Sequence, residues 1–546
     1  MKAQCFPFSQ IPHTSRLFID FLSYSPGVRS FYPQSPHFSE WMKGQASGLQ
    51  HDPVRRERVS AILQRQNVSW DASPQTLSNI ERLRHGAAAV VTGQQVGLFG
   101  GPMFSIYKAL SSVKLAEEAT AEGIDTVPIF WLATYDHDLD EVNHVGVPGS
   151  DGNLRTLSTS SHSVPNAPVS EVRFGEEIIT VVEDAASLLG DSEVSQFLRE
   201  CYRPGESLGT AFARLFARLF AKWGVIVLDA SDPEFHRVAA PIYRAAIERA
   251  EDLNAALLAR GDELEKSGYE QQVKVTPSSV LLFTMRQGAR TPIHRQTNGS
   301  SNENSENGEF VIGSEAKKIS ARQLLDEIEE HPENFSPNVL LRPVVQDYLL
   351  PTLAYAGGAA EAAYFAQAGA VYGKLLGRVT PIIPRFSATI VEPKIQHKLQ
   401  HYGLTAPEVF EGAEVLRRRL ASHALPGDLQ SAFERAGRSI ADSFSALKEP
   451  LAKLDPTLVD ASQTGASKVQ YQLERLRERA MAAELRRSEV IGRHAEVLSN
   501  MLYPNGVLQE REIAGVYFLA RHGSELLQSV YDAIHTDCHD HQILEL

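Results

Sequence analysis

The sequence predicts an α/β protein with a parallel-sheet core that is interrupted by two insertions and followed by an α-helical coiled-coil region. Two observations support this prediction. Short apolar runs alternate with helical patterns up to Pro393, and alternating strands and helices are typical of a parallel sheet. From Val469 onward, apolar residues recur at alternating steps of four and three, which is typical of a coiled coil.

Length and charge set the class of protein. The 546 residues exceed what one hydrophobic core usually holds, so several structural units are expected. The net charge of −14 argues against a general nucleic-acid binder, which needs a basic surface. No apolar run reaches the roughly 18 residues of a membrane span, and the first residues are too polar for a signal peptide. We therefore expect a cytoplasmic protein that binds neither nucleic acid nor membranes.

The three cysteines lie far apart in the sequence. Cys5, Cys201 and Cys538 form no pair with metal-ligand spacing and no disulfide framework, which fits a reducing compartment. The tail adds three histidines near the last of them: His535, His539 and His541. These residue types can bind zinc, but histidines in a tail are more often solvated. No metal site is therefore predicted there.

The central stretch predicts one βαβ unit. Residues 88–92 form a short apolar run, apolar residues recur at helical spacing from Phe104 to Leu115, and residues 127–133 are again apolar. A dense polar cluster follows the second strand: Asp136, His137, Asp138, Asp140, Glu141 and His144. Ligands of open parallel sheets bind outside the carboxyl ends of the strands. The polar cluster is therefore a candidate site.

The turn after the first strand contains Gly93, Gly97, Gly100 and Gly101. Glycines at such a turn let backbone N–H groups approach an anion at a helix N-terminus. The spacing matches neither the dinucleotide G-x-G-x-x-G motif nor the P-loop around Lys108, so a tight turn and an anion site both remain open. Two large amides beside the turn favour recognition of polar substrate groups. These amides belong to Gln94 and Gln95.

Two interruptions divide the rest of the core. In the first, a strand is predicted near residues 171–174 and a helix near residues 183–189. In the second, residues 280–284 and 310–312 predict a small β-unit, and TNGSSNENSENGE predicts a mobile loop tip. Further core strands are predicted at residues 225–229, 352–356 and 380–390.

A second glycine turn, Gly357-Gly358, follows the strand at residues 352–356. The next helix carries Glu361, Tyr364 and Gln367 near one face, where they can reach the crevice. Arg385 follows Pro384 in the last core strand. Arg342, Gln346 and Asp347 precede the turn, and for each of them ligand contact and a structural ion pair both remain open.

The helical region needs a partner for its apolar seam. The seam runs from Val469 to Met501, and Pro504 ends the helix. A narrow apolar stripe flanked by charges has to pack against another helix. That helix is either the one predicted at residues 429–454 or one from a second subunit, and a homodimer is the expected assembly.

Several long motifs resemble one family. They are TGQQVGLFGGPMFSIYK, FWLATYDHDLDEVNH, RPVVQDYLLPTLAYAGGAAEAAYFAQ, PRFSATIVEP and NMLYPNGVLQER. Together they span nearly the whole chain and resemble BshC, the family of cysteine-adding enzymes in bacillithiol biosynthesis. The resemblance implies a Rossmann-like core with two connecting-peptide insertions and a dimerising coiled-coil domain. The boundaries that follow are residues 1–145, 207–255 and 337–395 for the core, 146–206 and 256–336 for the insertions, 396–504 for the coiled coil and 505–546 for a segment that packs back on the core.

The resemblance also implies the reaction. The substrates would be L-cysteine and glucosaminyl-malate, and the product would be bacillithiol. Forming an amide from a free carboxylate is uphill in water, so ATP is the expected cofactor, Mg²⁺ is a possible one, and ADP is a possible product. The chain lacks the His-x-Gly-His element of class I nucleotidyl-transferring enzymes. Activation as an adenylate and activation as an acyl phosphate both remain open.

The candidate site residues follow from these arguments. His137 or His144 is the expected base, because imidazole titrates near neutral pH, and Asp136 or Asp138 would orient it or hold Mg²⁺. The expected substrate-binding residues are Gly93, Gln94, Gln95, Gly97, Gly100, Gly101, Lys108, Gln346, Asp347, Gly357, Gly358, Glu361 and Gln367. The expected cofactor-binding residues, at a cleft between the coiled coil and the core, are Arg385, Tyr503, Asn505, Gln509 and Arg511.

Two other functions fit parts of the pattern. The D-H-D-x-x-E-x-x-H cluster has the ligand types of a metal site, so a metal-dependent hydrolase or nucleotidyltransferase is one alternative. The other is a non-catalytic coiled-coil assembly protein whose core only binds a nucleotide. Many polar groups at one sheet edge argue against pure scaffolding.

Overall fold

The computed structural model describes residues 1–49, 51–160, 165–296, 309–313, 317–423, 427–487, 489–536 and 538–546. The strands are β1 (Lys2–Phe6), β2 (Ala88–Gln94), β3 (Thr126–Leu132), β4 (His144–Pro148), β5 (Leu154–Ser158), β6 (Ile226–Asp229), β7 (Ser279–Arg286), β8 (Ala289–Arg295), β9 (Glu309–Ile312), β10 (Lys317–Ser320), β11 (Phe335–Pro337), β12 (Thr352–Gly357), β13 (Ile382–Pro384), β14 (Ala388–Val391) and β15 (His541–Glu545).

The α-helices are α1 (Arg16–Leu22), α2 (Phe38–Ser47), α3 (Pro53–Ser69), α4 (Pro74–Arg84), α5 (Phe104–Ala121), α6 (Glu177–Leu189), α7 (Glu193–Cys201), α8 (Leu208–Leu219), α9 (Pro233–Glu248), α10 (Ala250–Lys266), α11 (Ala321–Glu330), α12 (Arg342–Leu349), α13 (Ala359–Leu375), α14 (Pro393–His401), α15 (Ala406–Val409), α16 (Ala413–His423), α17 (Gly427–Leu454), α18 (Thr457–Arg487), α19 (Glu489–Leu502), α20 (Gln509–Glu512), α21 (Gly515–His522) and α22 (Glu525–Ala533). Among the described residues, none of these helices has the length and apolarity that a bilayer span requires.

The described chain forms two compact units. Unit 1 comprises Met1–Val147, Arg155–Thr389 and Glu510–Leu544. Unit 2 comprises Pro148–Leu154, Ile390–Gln509 and Glu545–Leu546.

A five-stranded parallel sheet, in the order β13-β12-β2-β3-β6, lies at the centre of unit 1. Every residue of β3 is buried, and β2 is buried up to its last residue, which explains why both strands read as continuous apolar runs. Helix α5 follows β2 and packs on both strands. The predicted α/β class is confirmed, and the strands predicted at residues 127–133 and 225–229 are neighbours in this sheet.

The single strand predicted at residues 380–390 is wrong. The chain forms β13 in the parallel sheet, leaves it at Arg385, and begins β14 in a different sheet of order β1-β15-β14. Pro384 has no N–H for a ladder bond. Beyond it, Phe386 N donates to Ser111 Oγ on α5 at 2.9 Å, so the backbone bonds a helix instead of a strand. Strand β1 has no counterpart among the strands predicted from the sequence.

The second insertion contains the predicted β-unit, an antiparallel sheet of order β10-β9-β8-β7-β11. The loop tip predicted at TNGSSNENSENGE falls almost entirely outside the described residues. In the first insertion, the strand expected near residues 171–174 is absent among the described residues. A short 3-10 helix, Val169–Glu171, stands there, with one isolated bridge between Arg173 and Ser207.

Unit 2 is helical. Helices α17 and α18 form an antiparallel hairpin in which Phe444 packs against Gly465 and Leu473 lies beside Gly437. The hairpin supplies the partner helix within the chain, yet Val469 and Leu476 of the predicted seam remain exposed. The predicted seam falls on α18 and α19, which stand on either side of residue 488, and that residue lies outside the described part of the chain.

Candidate functional site

A cavity of about 620 Å³ lies at the carboxyl ends of β2, β3, β12 and β13, and its lining belongs wholly to unit 1. This volume falls within the range of small-molecule sites. The charged lining residues are Lys108, Asp136, Glu141, Arg290, Arg342, Glu361, Arg385 and Arg511. Aromatic side chains form much of the remaining wall: Phe104, Trp131, Tyr135, Phe283, Tyr355 and Tyr364.

Lys108 and Glu361 form a buried ion pair at the floor of the cavity. Lys108 Nζ lies 2.8 Å from Glu361 Oε2 and also donates to Gly93 O at 2.7 Å and to Gln94 Oε1 at 2.8 Å. Burial lowers the pKa of Lys108 to about 8, although Glu361 opposes this effect. All three protons of the ammonium group have acceptors in the protein.

Glu361 is held in place from several sides. Its Oε1 accepts from Tyr355 Oη at 2.6 Å, and its Oε2 accepts from Gly358 N at 2.7 Å. Burial alone would raise the pKa of Glu361, but Lys108 and these hydrogen bonds outweigh burial, and the pKa is lowered. Glu361 is therefore an ionised carboxylate that caps helix α13.

Arg342 is a buried guanidinium group with no carboxylate partner among the described residues. It stands at the start of α12 and is only 8% exposed. Its Nη2 donates to Tyr364 Oη at 2.6 Å, and its Nη1 donates to Gln346 Oε1 at 3.1 Å. The Glu361 carboxylate acts on Arg342 through space without an ion-pair contact, and a buried charge whose hydrogen bonds all go to neutral groups favours the approach of an anion.

Three cations surround the ring of Phe104. The Arg385 guanidinium carbon, Lys108 Nζ and the Arg511 guanidinium carbon lie 5.5, 5.8 and 6.0 Å from the ring centre. Arg385 is buried and pairs with Glu510 at 2.6 Å, but its Nε has no hydrogen-bond partner in the described chain. Arg511 is exposed. This corner of the cavity presents unused donors.

Another part of the lining is built around Asp136. Its Oδ2 accepts from Gln95 Nε2 at 2.8 Å, and its Oδ1 lies 3.4 Å from Arg290 Nη1. Arg290 comes from β8 of the second insertion, donates to Pro337 O at 2.8 Å and stacks over Phe283 at 3.9 Å. His137 Nδ1 lies 3.5 Å from Asp136 Oδ1 and 3.3 Å from Arg290 Nη1.

Two family models match the chain over almost its whole length. The model for "Bacillithiol biosynthesis BshC, N-terminal Rossmann-like domain" matches residues 1–386, and that for "Bacillithiol biosynthesis BshC, C-terminal coiled-coil domain" matches residues 388–546. The chain belongs to the BshC family. Its fold is accordingly a Rossmann-like domain followed by a coiled-coil domain.

Relatives of similar length carry the same family name. The protein named "Putative cysteine ligase BshC" from Koribacter versatilis is 46% identical over the full length of both chains. Proteins with that name from Solibacter usitatus and Salinibacter ruber are 37% and 33% identical, covering 100% and 97% of this chain and 100% and 96% of their own.

Nine residues predicted from the sequence line the BshC cavity. They are Gly93, Gln94, Gln95, Lys108, Asp136, Gly358, Glu361, Arg385 and Arg511. They come from β2 and the residue after it, from α5, from the loop after β3, from the start of α13 and the residue before it, and from the residues after β13 and in α20. The parallel sheet brings them together because its strands end at one edge.

The glycines Gly97, Gly100 and Gly101 do not line the cavity. The N–H of Gly100 donates to Gly97 O and to Tyr202 Oη, and the N–H of Gly101 donates to Leu98 O. A Cβ on Gly97 would lie 2.8 Å from Gly101 Cα. These glycines permit a tight, buried turn, and their N–H groups are not available for the anion that the sequence left open.

His137, Asp138 and His144 lie outside the lining. His137 is adjacent to it, through Asp136 and Arg290. Asp138 is exposed and its Oδ1 accepts from Glu141 N at 3.3 Å, which caps a turn. His144 is exposed at the start of β4 and contacts Asn143.

Four other predicted substrate residues sit behind the wall rather than in it: Gln346, Asp347, Gly357 and Gln367. Gln346 accepts a hydrogen bond from Arg342. Asp347 forms an ion pair with Arg378 at 2.8 Å, so of the two roles that the sequence left open for Asp347, the structural ion pair is the one observed. Gln367 exchanges two hydrogen bonds with the backbone of Val273, a residue that does line the cavity. Its contribution is to position the wall.

Three predicted cofactor residues, Tyr503, Asn505 and Gln509, belong to unit 2. Gln509 is fully buried and its amide bonds the backbone of Ile390 and Met501, so it is occupied in holding unit 2 together. Tyr503 packs against Phe410, and Asn505 adopts a positive φ of 54° in a short turn. Their role at a nucleotide stays a prediction.

Arg290 and Tyr355 line the cavity although the sequence analysis assigned them no role. Arg290 and Asp136 are 154 positions apart in the sequence, so no local sequence pattern predicts their contact. Tyr355 lies in an apolar stretch that resembles a core strand, whereas Tyr364, predicted on the helix face that reaches the crevice, does line the cavity. Among the described residues, no three His, Cys, Asp or Glu side chains are grouped in a way that could hold a metal ion.

Proposed function

We propose that this protein joins the carboxyl group of L-cysteine to the amine of glucosaminyl-malate and so forms bacillithiol, with ATP as the second substrate. The observation that carries the proposal is Arg342, a buried cation without a carboxylate ion-pair partner in the described chain, in a cavity whose lining also carries Asp136. Such a cavity suits a substrate with a carboxylate at one end and an amine at the other. Membership of the BshC family supports the same substrates.

Arg342 is the proposed contact for a malate carboxylate. The other buried cations of the lining already have acidic partners: Lys108 pairs with Glu361, Arg290 with Asp136 and Arg385 with Glu510. A substrate carboxylate would supply the missing counter-charge at Arg342 and accept charge-assisted hydrogen bonds. Tyr364 would orient the guanidinium through their 2.6 Å contact.

The amine would enter on the side of Asp136 and Glu141. An amine attacks a carboxyl carbon only after losing a proton, so the site needs a base at this wall. His137 is the proposed base, because it is next to the lining residue Asp136 and its Nδ1 lies 3.5 Å from Asp136 Oδ1. Its ring centre lies 6.2 Å from that of Phe283, another lining residue. Asp136 would orient the ring and stabilise the imidazolium.

ATP would supply the activation that turns the cysteine carboxylate into an acyl group with a good leaving group. The corner around Phe104 fits a phosphate chain, because Arg385 Nε is a buried donor without a partner and Arg511 is exposed. Mg²⁺ is proposed to enter with ATP.

A homodimer in the cytoplasm is the proposed working form. Val469, Leu476 and Leu447 on the helical hairpin are 41%, 57% and 48% exposed, which leaves apolar surface for a second copy of the hairpin.

Mass spectrometry of the reaction mixture tests the function. The purified full chain is incubated with L-cysteine, glucosaminyl-malate, ATP and Mg²⁺, and each component is omitted in turn. We expect the thiol product only in the complete mixture. Formation of AMP and pyrophosphate would indicate an adenylate, whereas ADP and phosphate would indicate an acyl phosphate. Absence of the product with every nucleotide tried would contradict the proposal.

A further inference from the structure

Cys5 and Cys538 are 533 positions apart in the sequence, yet their sulfur atoms lie 2.7 Å apart. Cys5 belongs to β1, and Cys538 precedes β15, the strand next to β1 in the small sheet. Sulfurs this close can bond after small side-chain rotations. The spacing of the cysteines in the sequence predicted no disulfide framework, yet the fold brings this pair together.

The two thiols differ in access. Cys5 is exposed, whereas Cys538 is half-buried, and its pKa is raised to about 12 by burial and by the neighbouring Cys5 thiol. Thiol–disulfide exchange begins with an accessible thiolate, so Cys5 is the sulfur that meets a reagent first. Cys201 is fully buried, so it is not accessible to a small disulfide in solution.

We propose that Cys5 and Cys538 form a reversible redox site that reacts with low-molecular-weight disulfides. The Cys5 thiolate attacks one sulfur of the small disulfide, which forms a mixed disulfide and releases one small thiolate. The Cys538 sulfur then attacks the Cys5 sulfur, the second small thiolate leaves, and the Cys5–Cys538 bond forms. The two protons of the cysteines end on the two small thiols, so the protein is oxidised by two electrons and the reagent is reduced by two.

The disulfide would fasten β1 to a strand that supports the cavity. In β15, His541 contacts Ser387 Oγ at 2.7 Å and Thr389 Oγ1 at 2.9 Å. Between those two residues, Ala388 N donates to Glu510, the carboxylate that holds Arg385 of the lining. If the proposed function is correct, the product is itself a small thiol, and its oxidised form is one reagent of the required class. The cross-link does not depend on that function.

Oxidised glutathione serves as the probe. The full chain is treated with it, remaining thiols are alkylated, and the mass and the digest are measured. We expect a loss of two hydrogen atoms, a peptide pair joining Cys5 to Cys538, a thermal midpoint higher than that of the reduced protein, and full reversal by dithiothreitol. Cys201→Ser should behave like the wild type.

Single variants distinguish the pair from one reactive cysteine. Cys538→Ser should stop at a glutathione adduct on Cys5, and Cys5→Ser should form no cross-link. Neither variant should show the rise in thermal midpoint. A lasting glutathione adduct on Cys5 in the wild type, or a cross-link to Cys201, would overturn the proposal. Because no substrate is needed, a failed ligase assay leaves this result unaffected.

Discussion

Lys108 Nζ lies 2.8 Å from Glu361 Oε2 inside unit 1, and this contact joins α5 to α13, the helices that follow the neighbouring strands β2 and β12. The side chains are only 5% and 14% exposed. A buried charge that loses its partner cannot recover its hydration, so the pair fixes the floor of the cavity more strongly than a surface pair could.

Removal of one member should therefore be costly. We expect Lys108→Met to lower the free energy of unfolding by about 3–5 kcal/mol, because Glu361 is left buried and unpaired. Lys43→Met is the matched control: its pair with Glu122 is 64% and 49% exposed, and such a pair contributes at most about 1 kcal/mol. Urea denaturation measures both. Equal effects in the two variants would contradict the argument.

Arg342 should govern the affinity for the acidic substrate. We expect Arg342→Met to raise the KM for glucosaminyl-malate about 10- to 100-fold, as expected for loss of hydrogen bonds to a charged group, and to leave the KM for ATP nearly unchanged. Arg244→Met, on the half-exposed Arg244, is the control. A comparable rise in both KM values, or a collapse of the thermal midpoint, would make Arg342 a structural residue.

His541 should make the protein sensitive to acid. Burial lowers the pKa of His541 from 6.5 to about 4. Between pH 6.5 and pH 4, the imidazole is therefore protonated in the unfolded chain but neutral in the folded chain. Stability from this group is present above pH 6.5 and is lost as the pH falls to 4, by about 3 kcal/mol in all.

The measurement compares unfolding free energies at pH 7 and pH 4.5. His541→Asn should lose less stability between these pH values than the wild type, even if it is less stable at pH 7. His85→Asn, on a side chain that is 77% exposed, should follow the wild-type curve. Parallel curves for His541→Asn and the wild type would show that another group causes the acid effect.

Gly97 should matter for packing. A Cβ there would lie 2.8 Å from the backbone of Gly101, so Gly97→Ala should cost about 1–3 kcal/mol of stability. Gly44→Ala, in α2 with nothing within 4 Å, should instead stabilise the helix by about 0.5–1 kcal/mol. Weaker ATP binding by Gly97→Ala, without loss of stability, would restore the interpretation as an anion-binding turn.

Leu476 should contribute to the dimer. It is 57% exposed on α18, so Leu476→Lys should not disturb the hairpin but should disfavour burial of this surface against a second copy. We expect monomers in analytical ultracentrifugation. Val54→Lys, at a 70% exposed position in unit 1, should leave the wild-type mass unchanged. A Leu476→Lys protein with the wild-type mass would place any interface elsewhere.

The sequence by itself determined the parallel sheet and the position of the cavity. Strands β2 and β3 are buried on both faces, so their residues form apolar runs that any reading of hydrophobicity detects. The carboxyl ends of such strands share one edge, so Gln95, Asp136 and Glu361 could be placed near each other without knowledge of their contacts. The heptad pattern of α18 likewise follows from local periodicity.

Tertiary structure decided which polar groups are free and which are already bonded. The sequence suggests that Gln346, Gln367 and Gln509 contact a ligand. In the structure, the side-chain amide of each forms a hydrogen bond with another part of the protein. Arg290 reaches Asp136 from an insertion, and Cys538 meets Cys5 from the other end of the chain. Hydrogen bonds and ion pairs act over a few ångströms of space and carry no periodicity along the chain, so only the folded arrangement assigns them.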